Sequence, residues 1–588
     1  MKEQVDLNRF LRAKEHFLEN EDRGFALLRD ALGNIFGGII KNIPQFEDDE
    51  QSLTVPLYTM IPHFGDIVAS ITSVIMDDAL SDAGLFTDLQ HRLYENACQA
   101  SGIHDVNSKR PLITADKSEL GAAELLEAYF SGTPFYDFFL TPVPFSIPLQ
   151  TRFSHQWIIG QPGTGKSTLL QHLIVQDLQK VADGEASIVV MESNRDLIKA
   201  IEGLSVFAPG ELLDGKLLSI DLEDVEWPIA LNLFDVGFSE IEKLEPRARV
   251  ALTNTVLALY DYIFGSLFSA EMTSRQNTLF TFTIQLLLKI PGATLDTLID
   301  LMQPKGLDNF QKYLPSLGHD ARRFFELKFN STELNRTKSE VLDRLFAVKR
   351  NETLSNMFAS PKSKLDFFDE MGKPQVILIN APQSLLQDDG VEIVGRFFIA
   401  MLLVAAQKRQ VLPRHNRFPC FAYIDECQDF IRRDTKIPVI LDQARKLNIG
   451  LILAHQRLNQ MQPYVLDALY GSTAIKFAAQ ISDAGAHALA RDMRTSSEFI
   501  LNQPQYHFAA YVRGLTQSAV SLGVPHTDLA KAPRMSAADS AAIRASMRAK
   551  YALPISKLFT RPQAPDSPPA SAAAEMSPPD SDEFADKY

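Results

Sequence analysis

The sequence predicts an α/β protein with a parallel sheet, interrupted by an all-α insertion and preceded by a mostly helical N-terminal region. Two observations carry this prediction. From His155 onward, short β-rich runs alternate with helical stretches, which is the pattern of a parallel sheet. Between Glu240 and about Glu370 the strand pattern stops and helical periodicity takes its place. The first three β-rich runs are HQWIIG (155–160), SIVVME (187–192) and LLSID (217–221).

Strand-like runs resume after the helical stretch, so the insertion lies inside one sheet domain. They are QVILIN (375–380), FAYID (421–425), IGLILA (449–454), TAIKFA (473–478) and HFAAYV (507–512). The predicted units are a helical region of unknown role (1–145), the sheet domain (146–239 and 371–525), the insertion (240–370), a helical extension (526–561) and a tail (562–588). The tail is rich in Pro, Ala, Ser and acidic residues, which predicts disorder.

Composition is that of a globular protein, with 45% hydrophobic and 22% charged residues in 588. The net charge of −15 means that any contact with nucleic acid needs a local basic lining. Three cysteines without metal-ligand spacing fit a reducing compartment, and no secretory signal begins the chain, so a cytoplasmic location is expected. The apolar stretches 252–270 and 397–406 are interpreted as buried helices, and no membrane span is predicted.

A phosphate-binding loop follows the first β-rich run. The segment GQPGTGKS satisfies GxxxxGK[ST] between a strand and a helix, the context that this motif requires. Backbone N–H groups at a helix N-terminus would bind the β-phosphate, Lys166 would reach the β- and γ-phosphates, and the Ser167 hydroxyl would bind Mg²⁺. The nucleotide-binding candidates are Gly160, Gln161, Pro162, Gly163, Thr164, Gly165, Lys166, Ser167 and Thr168.

Two adjacent acidic residues lie at the end of the run FAYID: Asp425 is its last residue, and Glu426 follows it. Asp425 is predicted to hold the Mg²⁺ shell, and Glu426 to act as general base on the attacking water. Acidic pairs are common on protein surfaces, but one that ends an apolar strand in a chain with a P-loop indicates an ATP and Mg²⁺ site.

A polar residue also ends the run IGLILA. Gln456 follows this strand, where its amide could hydrogen-bond the γ-phosphate or the lytic water. Alone, it is a weak indication, because a polar residue at a strand end is usually the first residue of a loop.

Three segments together carry a family resemblance: GQPGTGKST, YIDECQDF and QARKLNIGLILAHQ. They resemble the FtsK and HerA class of DNA-translocating P-loop ATPases, and most closely the coupling ATPases of conjugative type IV secretion. The resemblance covers roughly residues 135–525 and implies a RecA-like P-loop domain with an all-α insertion. It also implies ATP hydrolysis, DNA as a partner, and a ring-shaped homo-oligomer, a hexamer. Arg445 matches the arginine that this family inserts into the neighbouring subunit's nucleotide site. The alternative is a solvated arginine that complements the dipole at the end of its helix, with Lys446 or Arg457 in the family role.

The chain departs from the family in two ways. Coupling proteins usually begin with membrane-spanning helices, whereas this chain begins with the helical region, so recruitment to a membrane secretion complex stays a hypothesis. Many relatives carry an aspartate-lysine pair after the second strand, where this chain has Glu192, Ser193, Asn194 and Arg195.

The cargo and the partners are left open by the sequence. A basic run in the insertion is either a solvated helix face or a surface that follows a phosphate backbone; it comprises Arg336, Lys338, Arg344, Lys349 and Arg350. The leading hypothesis is a DNA translocase. The alternatives are a secretion ATPase that acts on protein substrates and an ATP-gated recruitment platform that binds a protein through the N-terminal region or the tail.

Overall fold

An 11-stranded sheet organises the chain in the computed structural model. The structure describes residues 2–19, 29–37, 39, 53–61, 63–82, 86–105, 108–235, 245, 257, 260, 264, 273–409, 413–434 and 437–558. The predicted disordered tail, 562–588, and the first part of the predicted insertion lie outside these residues. The strands are β1 (Thr54–Pro56), β2 (Pro142–Pro144), β3 (Gln156–Gly160), β4 (Ser187–Glu192), β5 (Leu217–Asp221), β6 (Val376–Asn380), β7 (Cys420–Ile424), β8 (Ile449–His455), β9 (Ile475–Ala479), β10 (His507–Val512) and β11 (Val520–Gly523).

The order of strands across the sheet is β2-β1-β11-β10-β9-β3-β8-β7-β4-β6-β5. The seven strands from β9 to β5 are parallel, as the alternation of strands and helices predicts. The four strands β10, β11, β1 and β2 continue the sheet in antiparallel fashion. The mixed α/β class is therefore confirmed, with an antiparallel extension that the sequence pattern does not predict.

The described helices of the N-terminal region and the first half of the sheet are α1 (Lys2–Glu19), α2 (Phe64–Ile75), α3 (Asp78–Asp82), α4 (Thr87–Ala100), α5 (Ala122–Phe130), α6 (Pro134–Leu140), α7 (Leu149–Arg152), α8 (Lys166–Ala182) and α9 (Asp196–Glu202). Those between β5 and β6 are α10 (Ser274–Leu287), α11 (Leu295–Met302), α12 (His319–Leu327), α13 (Thr332–Arg350), α14 (Glu352–Met357) and α15 (Phe367–Met371). The described part of this connection contains no strand.

The remaining helices are α16 (Gln383–Lys408), α17 (Gln428–Ile431), α18 (Ile437–Lys446), α19 (Pro463–Ser472), α20 (Asp483–Ala490), α21 (Ser497–Leu501), α22 (Ala537–Tyr551) and α23 (Ile555–Leu558). Helix α16 contains a kink at Gln387, whose φ is 57° and ψ is 174°. None of the helices in the described ranges is both long and apolar enough to cross a bilayer.

Alternate side chains of the parallel strands enter two apolar clusters, one on each face of the sheet. Ile158 and Val190 face a cluster that includes residues of α8 and α9. Trp157 and Val189 face a second cluster that continues through α16, α18 and the helices between β5 and β6. Every residue of β3 and β7 is buried, as expected for central parallel strands covered by helices. Their carboxyl ends are therefore held in fixed register.

Candidate nucleotide site

Three neighbouring strands bring the predicted site residues to one edge of the sheet. Strand β3 pairs with β8, and β8 pairs with β7, all in parallel. The P-loop follows β3, Asp425 and Glu426 follow β7, and Gln456 follows β8. Since parallel strands end at the same edge, side chains separated by about 300 positions in the sequence meet here.

Glycines shape the loop between β3 and α8. Gly163 has a φ of 86° and Gly165 a φ of 105°, both in the left-handed region that favours glycine. At Gly165 a β-carbon would also lie 3.0 Å from the Tyr506 ring. Helix α8 begins at Lys166, so the loop leads directly into a helix N-terminus, where first-turn N–H groups lack intrahelical partners.

Lys166 connects the loop to both carboxylates. Its Nζ lies 2.5 Å from Asp425 Oδ1 and 2.8 Å from Glu426 Oε1, and its side chain is only 7% exposed. Burial alone would lower the pKa of Lys166, but the two carboxylates outweigh burial and raise it. The ammonium group therefore stays charged at the position where phosphates would need neutralisation.

Hydrogen bonds fix both the backbone around Glu426 and the two oxygens of its carboxylate. Its φ of 46° is left-handed, and the flanking N–H groups of Asp425 and Cys427 donate to carbonyls of β4 and β8. Gln456 Nε2 donates to Oε1 at 2.8 Å, and Gln428 Nε2 donates to Oε2 at 3.0 Å. Burial raises the pKa of Glu426, but Lys166 and these hydrogen bonds outweigh burial and lower it. The side chain is therefore a carboxylate able to accept a proton.

The strand end that carries Gln456 is fixed by His455. The indole Nε1–H of Trp157 donates to His455 Nε2 at 2.8 Å, and Nδ1 lies 3.0 Å from the Arg457 carbonyl. Complete burial lowers the pKa of His455 to about 4, so the ring is neutral and Nδ1 carries the proton. This network orients the residue next to Gln456 without adding charge.

Helix α8 is tied to β7 by a buried ion pair. Both guanidinium Nη atoms of Arg152 donate to Asp177, at 2.7 and 2.6 Å, and the Tyr423 hydroxyl donates to the same carboxylate at 2.6 Å. The Arg152 guanidinium also stacks 3.9 Å from the centre of the Phe421 ring. The helix that carries Lys166 and the strand that leads to Asp425 are thereby held together.

Neither the comparison with protein-family models nor that with curated proteins gives a match. Among solved structures, the chain is similar to the unbound monoclinic form of the bacterial conjugative coupling protein TrwB, with 12% identity over 68% of this chain and 88% of that chain and a TM-score of 0.46. TrwB with the non-hydrolysable ATP analogue ADPNP matches with 14% identity, 67% and 89% coverage, and a TM-score of 0.46. VirB4 of Thermoanaerobacter pseudethanolicus matches with 13% identity, 68% and 95% coverage, and a TM-score of 0.39. The solved structures that this chain is similar to thus include a conjugative coupling protein, at low sequence identity.

The residues present fit ATP and Mg²⁺. Ser167 is exposed in the first turn of α8, beside the buried ammonium of Lys166, while Thr164 is buried inside the loop and Thr168 is half-buried. Within the described ranges, no group of three or more His, Cys, Asp or Glu side chains could hold a metal by itself. Mg²⁺ typically takes one or two protein ligands and completes its shell with phosphates and water. Ser167 and Asp425 are the two candidates.

Arg445 lies at the opposite edge of the sheet. It is exposed in the last turn of α18, before the amino end of β8, whereas Gln456 follows the carboxyl end of that strand. A strand of this length spans about 20 Å, farther than an arginine side chain reaches. The structure therefore separates Arg445 from its own P-loop. Of the two alternatives, Lys446 shares this edge, and Arg457 is exposed next to Gln456.

The sequence patterns miss several contacts around the site. The only sequence signal for Gln428 is its position two residues beyond Glu426. Tyr506 donates its N–H to the Thr164 carbonyl at 3.1 Å, and Gln505 Nε2 donates to the Gly163 carbonyl at 3.3 Å. These two residues, immediately before β10, support the P-loop from 342 positions away in the sequence, and no local motif predicts them.

Residues 192–195, where the chain departs from the family pattern, also have a structural role. Buried Glu192 accepts hydrogen bonds from the N–H groups of Leu197 and Ile198 at 3.3 and 3.0 Å. Burial raises its pKa to about 7. Arg195 pairs with Asp221 at 2.9 Å and with Glu223, so both charged residues are engaged within the fold.

The basic run of the insertion does not form one exposed face. Lys338 is 4% exposed, and its Nζ lies 4.3 Å from the centre of the Phe329 ring. Lys349 pairs with Asp296, and Arg336 pairs with Glu340. Part of this run therefore serves packing and local ion pairs within the helices between β5 and β6.

Proposed function

We propose that this chain is a Mg²⁺-dependent ATPase. One observation carries the proposal: Lys166, Asp425, Glu426 and Gln456 form a single hydrogen-bonded cluster at the end of the P-loop. A structural ion pair would need only one carboxylate. A second, ionised carboxylate, held by an amide on the neighbouring strand, is placed to act as a general base once Lys166 has turned to the phosphates.

Each residue then has a distinct part in the reaction. Lys166 exchanges its carboxylate partners for the β- and γ-phosphates of ATP, and this frees Oε1 of Glu426. That oxygen takes the proton of a water as the water attacks the γ-phosphorus, and the bond between the γ-phosphorus and the β,γ-bridging oxygen breaks to release ADP and phosphate. Gln456 donates to the same oxygen, and its amide turns to the water or the γ-phosphate as the proton moves to Oε1. Mg²⁺, held by Ser167 and Asp425, would neutralise phosphate charge.

We further propose that the active form is a ring, as the motif resemblance implies. Arg445 is exposed at the amino edge, beyond the reach of its own P-loop, and this supports action on a neighbouring subunit. A heterologous contact that repeats head to tail gives a ring when the rotation between subunits closes, and an open filament when it does not. A hexamer is the form expected from the resemblance.

DNA is the proposed cargo, and this part rests on the three motif segments alone. The experiment is a steady-state ATPase assay with and without single-stranded and double-stranded DNA, combined with a mass measurement of the assembly. Stimulation of turnover by DNA in a ring-sized assembly is expected. Hydrolysis without any response to DNA would favour a protein cargo, and absence of hydrolysis by assembled protein would overturn the ATPase proposal.

A further inference from the structure

Three side chains donate hydrogen bonds to the Glu426 carboxylate, and nucleotide binding would affect these hydrogen bonds differently. Lys166 and Gln456 both donate to Oε1. Both have a second partner in the proposed reaction, a phosphate or the attacking water. Gln428 donates to Oε2 at 3.0 Å from the first turn of α17, on the side of Glu426 away from Lys166.

The amide of Gln428 is itself held in place by a further contact. Its Nε2 also donates to Asp429 Oδ1 at 3.2 Å, and Asp429 Oδ2 accepts a hydrogen bond from Ser193 Oγ at 2.6 Å. Reversing the amide would point its oxygen at two carboxylates, so this orientation is the stable one. Ser193 directly follows β4 and is buried, which anchors the chain of hydrogen bonds in the sheet.

From this geometry we infer that Gln428 is a positioning residue for Glu426. It keeps Oε2 occupied and leaves Oε1 to accept the proton of water once Lys166 has turned to the phosphates. Asp429 and Ser193 hold Gln428 in this orientation. The inference rests on the proposed ATPase function, since it assigns how the general base of that reaction is aimed.

The direct test is the pair Gln428→Met and Gln383→Ala. Methionine keeps the length of the side chain but donates no hydrogen bond. Gln383 is exposed, lines the same cavity of about 310 Å³ as Gln428, and donates to Asp388 at 2.7 Å rather than to Glu426. We expect kcat of Gln428→Met to fall by about 10²-fold, the effect of misplacing a reacting group by about 1 Å, with KM nearly unchanged. Gln383→Ala should match the parent.

Ser193 supplies a second test that does not alter Gln428. Ser193→Ala should lower kcat in the same direction but less, and Ser193→Thr, which keeps the hydroxyl, should restore it. Combined with Gln428→Met, Ser193→Ala should add little, because both changes act on one hydrogen-bonded chain. Melting temperatures within a few degrees of the parent show that each variant is folded.

The outcomes separate this inference from the proposed function. If the parent hydrolyses ATP and Glu426→Gln does not, the ATPase proposal stands. The positioning role is then overturned by any of three results: parental kcat in Gln428→Met, a KM that rises as much as kcat falls, or an equal loss in Gln383→Ala. If the parent itself is inactive, the proposed function fails first.

Discussion

The nucleotide site and Arg445, at opposite edges of the parallel sheet, hold charge in opposite ways. At the carboxyl edge, Lys166, Asp425 and Glu426 are buried, and every one of them is hydrogen-bonded to another member of the site. At the amino edge, Arg445 is exposed, and the buried side chain next to its helix is His155, a neutral ring. One edge is a preorganised site, and the other offers a charge to solvent. If Arg445 acts on a neighbouring subunit, as proposed above, catalysis needs two copies of the chain.

The largest effects are expected at the carboxyl edge. Lys166→Ala should lose measurable ATP binding, because the phosphate charge is no longer neutralised. Glu426→Gln should bind ATP but turn it over at least about 10²-fold more slowly, since only the base is removed. Equilibrium nucleotide binding and steady-state hydrolysis are measured separately. Parental turnover in Glu426→Gln would show that another group is the base.

The amino edge should give the next largest effect. Arg445→Ala is expected to bind ATP and assemble normally, with turnover lower by on the order of 10³-fold, the typical contribution of an arginine finger. Lys446→Ala is the matched control, because it removes an exposed cation from the same helical turn. Equal losses in both variants would mean that the general charge of this edge matters, rather than Arg445.

Mixing variants tests whether the two edges act on each other. Arg445→Ala subunits keep an intact pocket, and Glu426→Gln subunits keep an intact arginine. Mixed assemblies should therefore regain part of the parental activity, measured as turnover against mixing ratio. If exchange of subunits is verified and the mixture stays as inactive as its parents, Arg445 does not act across a subunit boundary.

A smaller effect, on stability, is expected when the pH is lowered. His155 lies 2.7 Å from the Leu441 carbonyl through Nε2 and accepts the Leu451 N–H at 3.0 Å, which ties α18 to the sheet. Burial lowers its pKa to about 4. An unfolded histidine binds a proton below about 6.5, whereas the folded one does so only near 4, so stability is complete above 6.5 and falls as pH decreases to 4. The full loss corresponds to about 3 kcal/mol.

The check is the melting temperature between pH 4 and 8. His455 has a similarly lowered pKa and should contribute a comparable slope. His155→Asn tolerates the left-handed backbone, φ 65°, and should reduce the slope by about half. An unchanged slope would show that other groups dominate the acid response.

The smallest effect is expected from deleting residues 562–588. Their Pro-rich acidic composition offers little apolar surface, so turnover and melting temperature should stay at parental values. A clear drop in either would give the tail a part in the site or the core. Loss of binding to a protein partner alone would be compatible with a tether.

The parallel strands and the central site residues can be predicted from the sequence because both depend on local patterns. Short apolar runs mark buried strands, and the P-loop motif specifies its own backbone. The antiparallel extension is different: β1 and β2 contain prolines, which are tolerated near sheet edges and weaken any strand signal. Likewise, the contact of Tyr506 with the P-loop and the link from Ser193 through Asp429 to Gln428 exist only in the assembled sheet.

The position of β3 has a consequence for how the protein is made. This fully buried strand carries the P-loop, yet its two neighbours, β8 and β9, begin at Ile449 and Ile475. A ribosome has therefore released the nucleotide-binding motif almost 300 residues before its strand can pair. During that interval the emerging chain exposes an apolar segment with unsatisfied backbone groups, which is a target for chaperones and a hazard for aggregation. Truncated forms that stop before β8 should fail to bind nucleotide although they contain the complete motif.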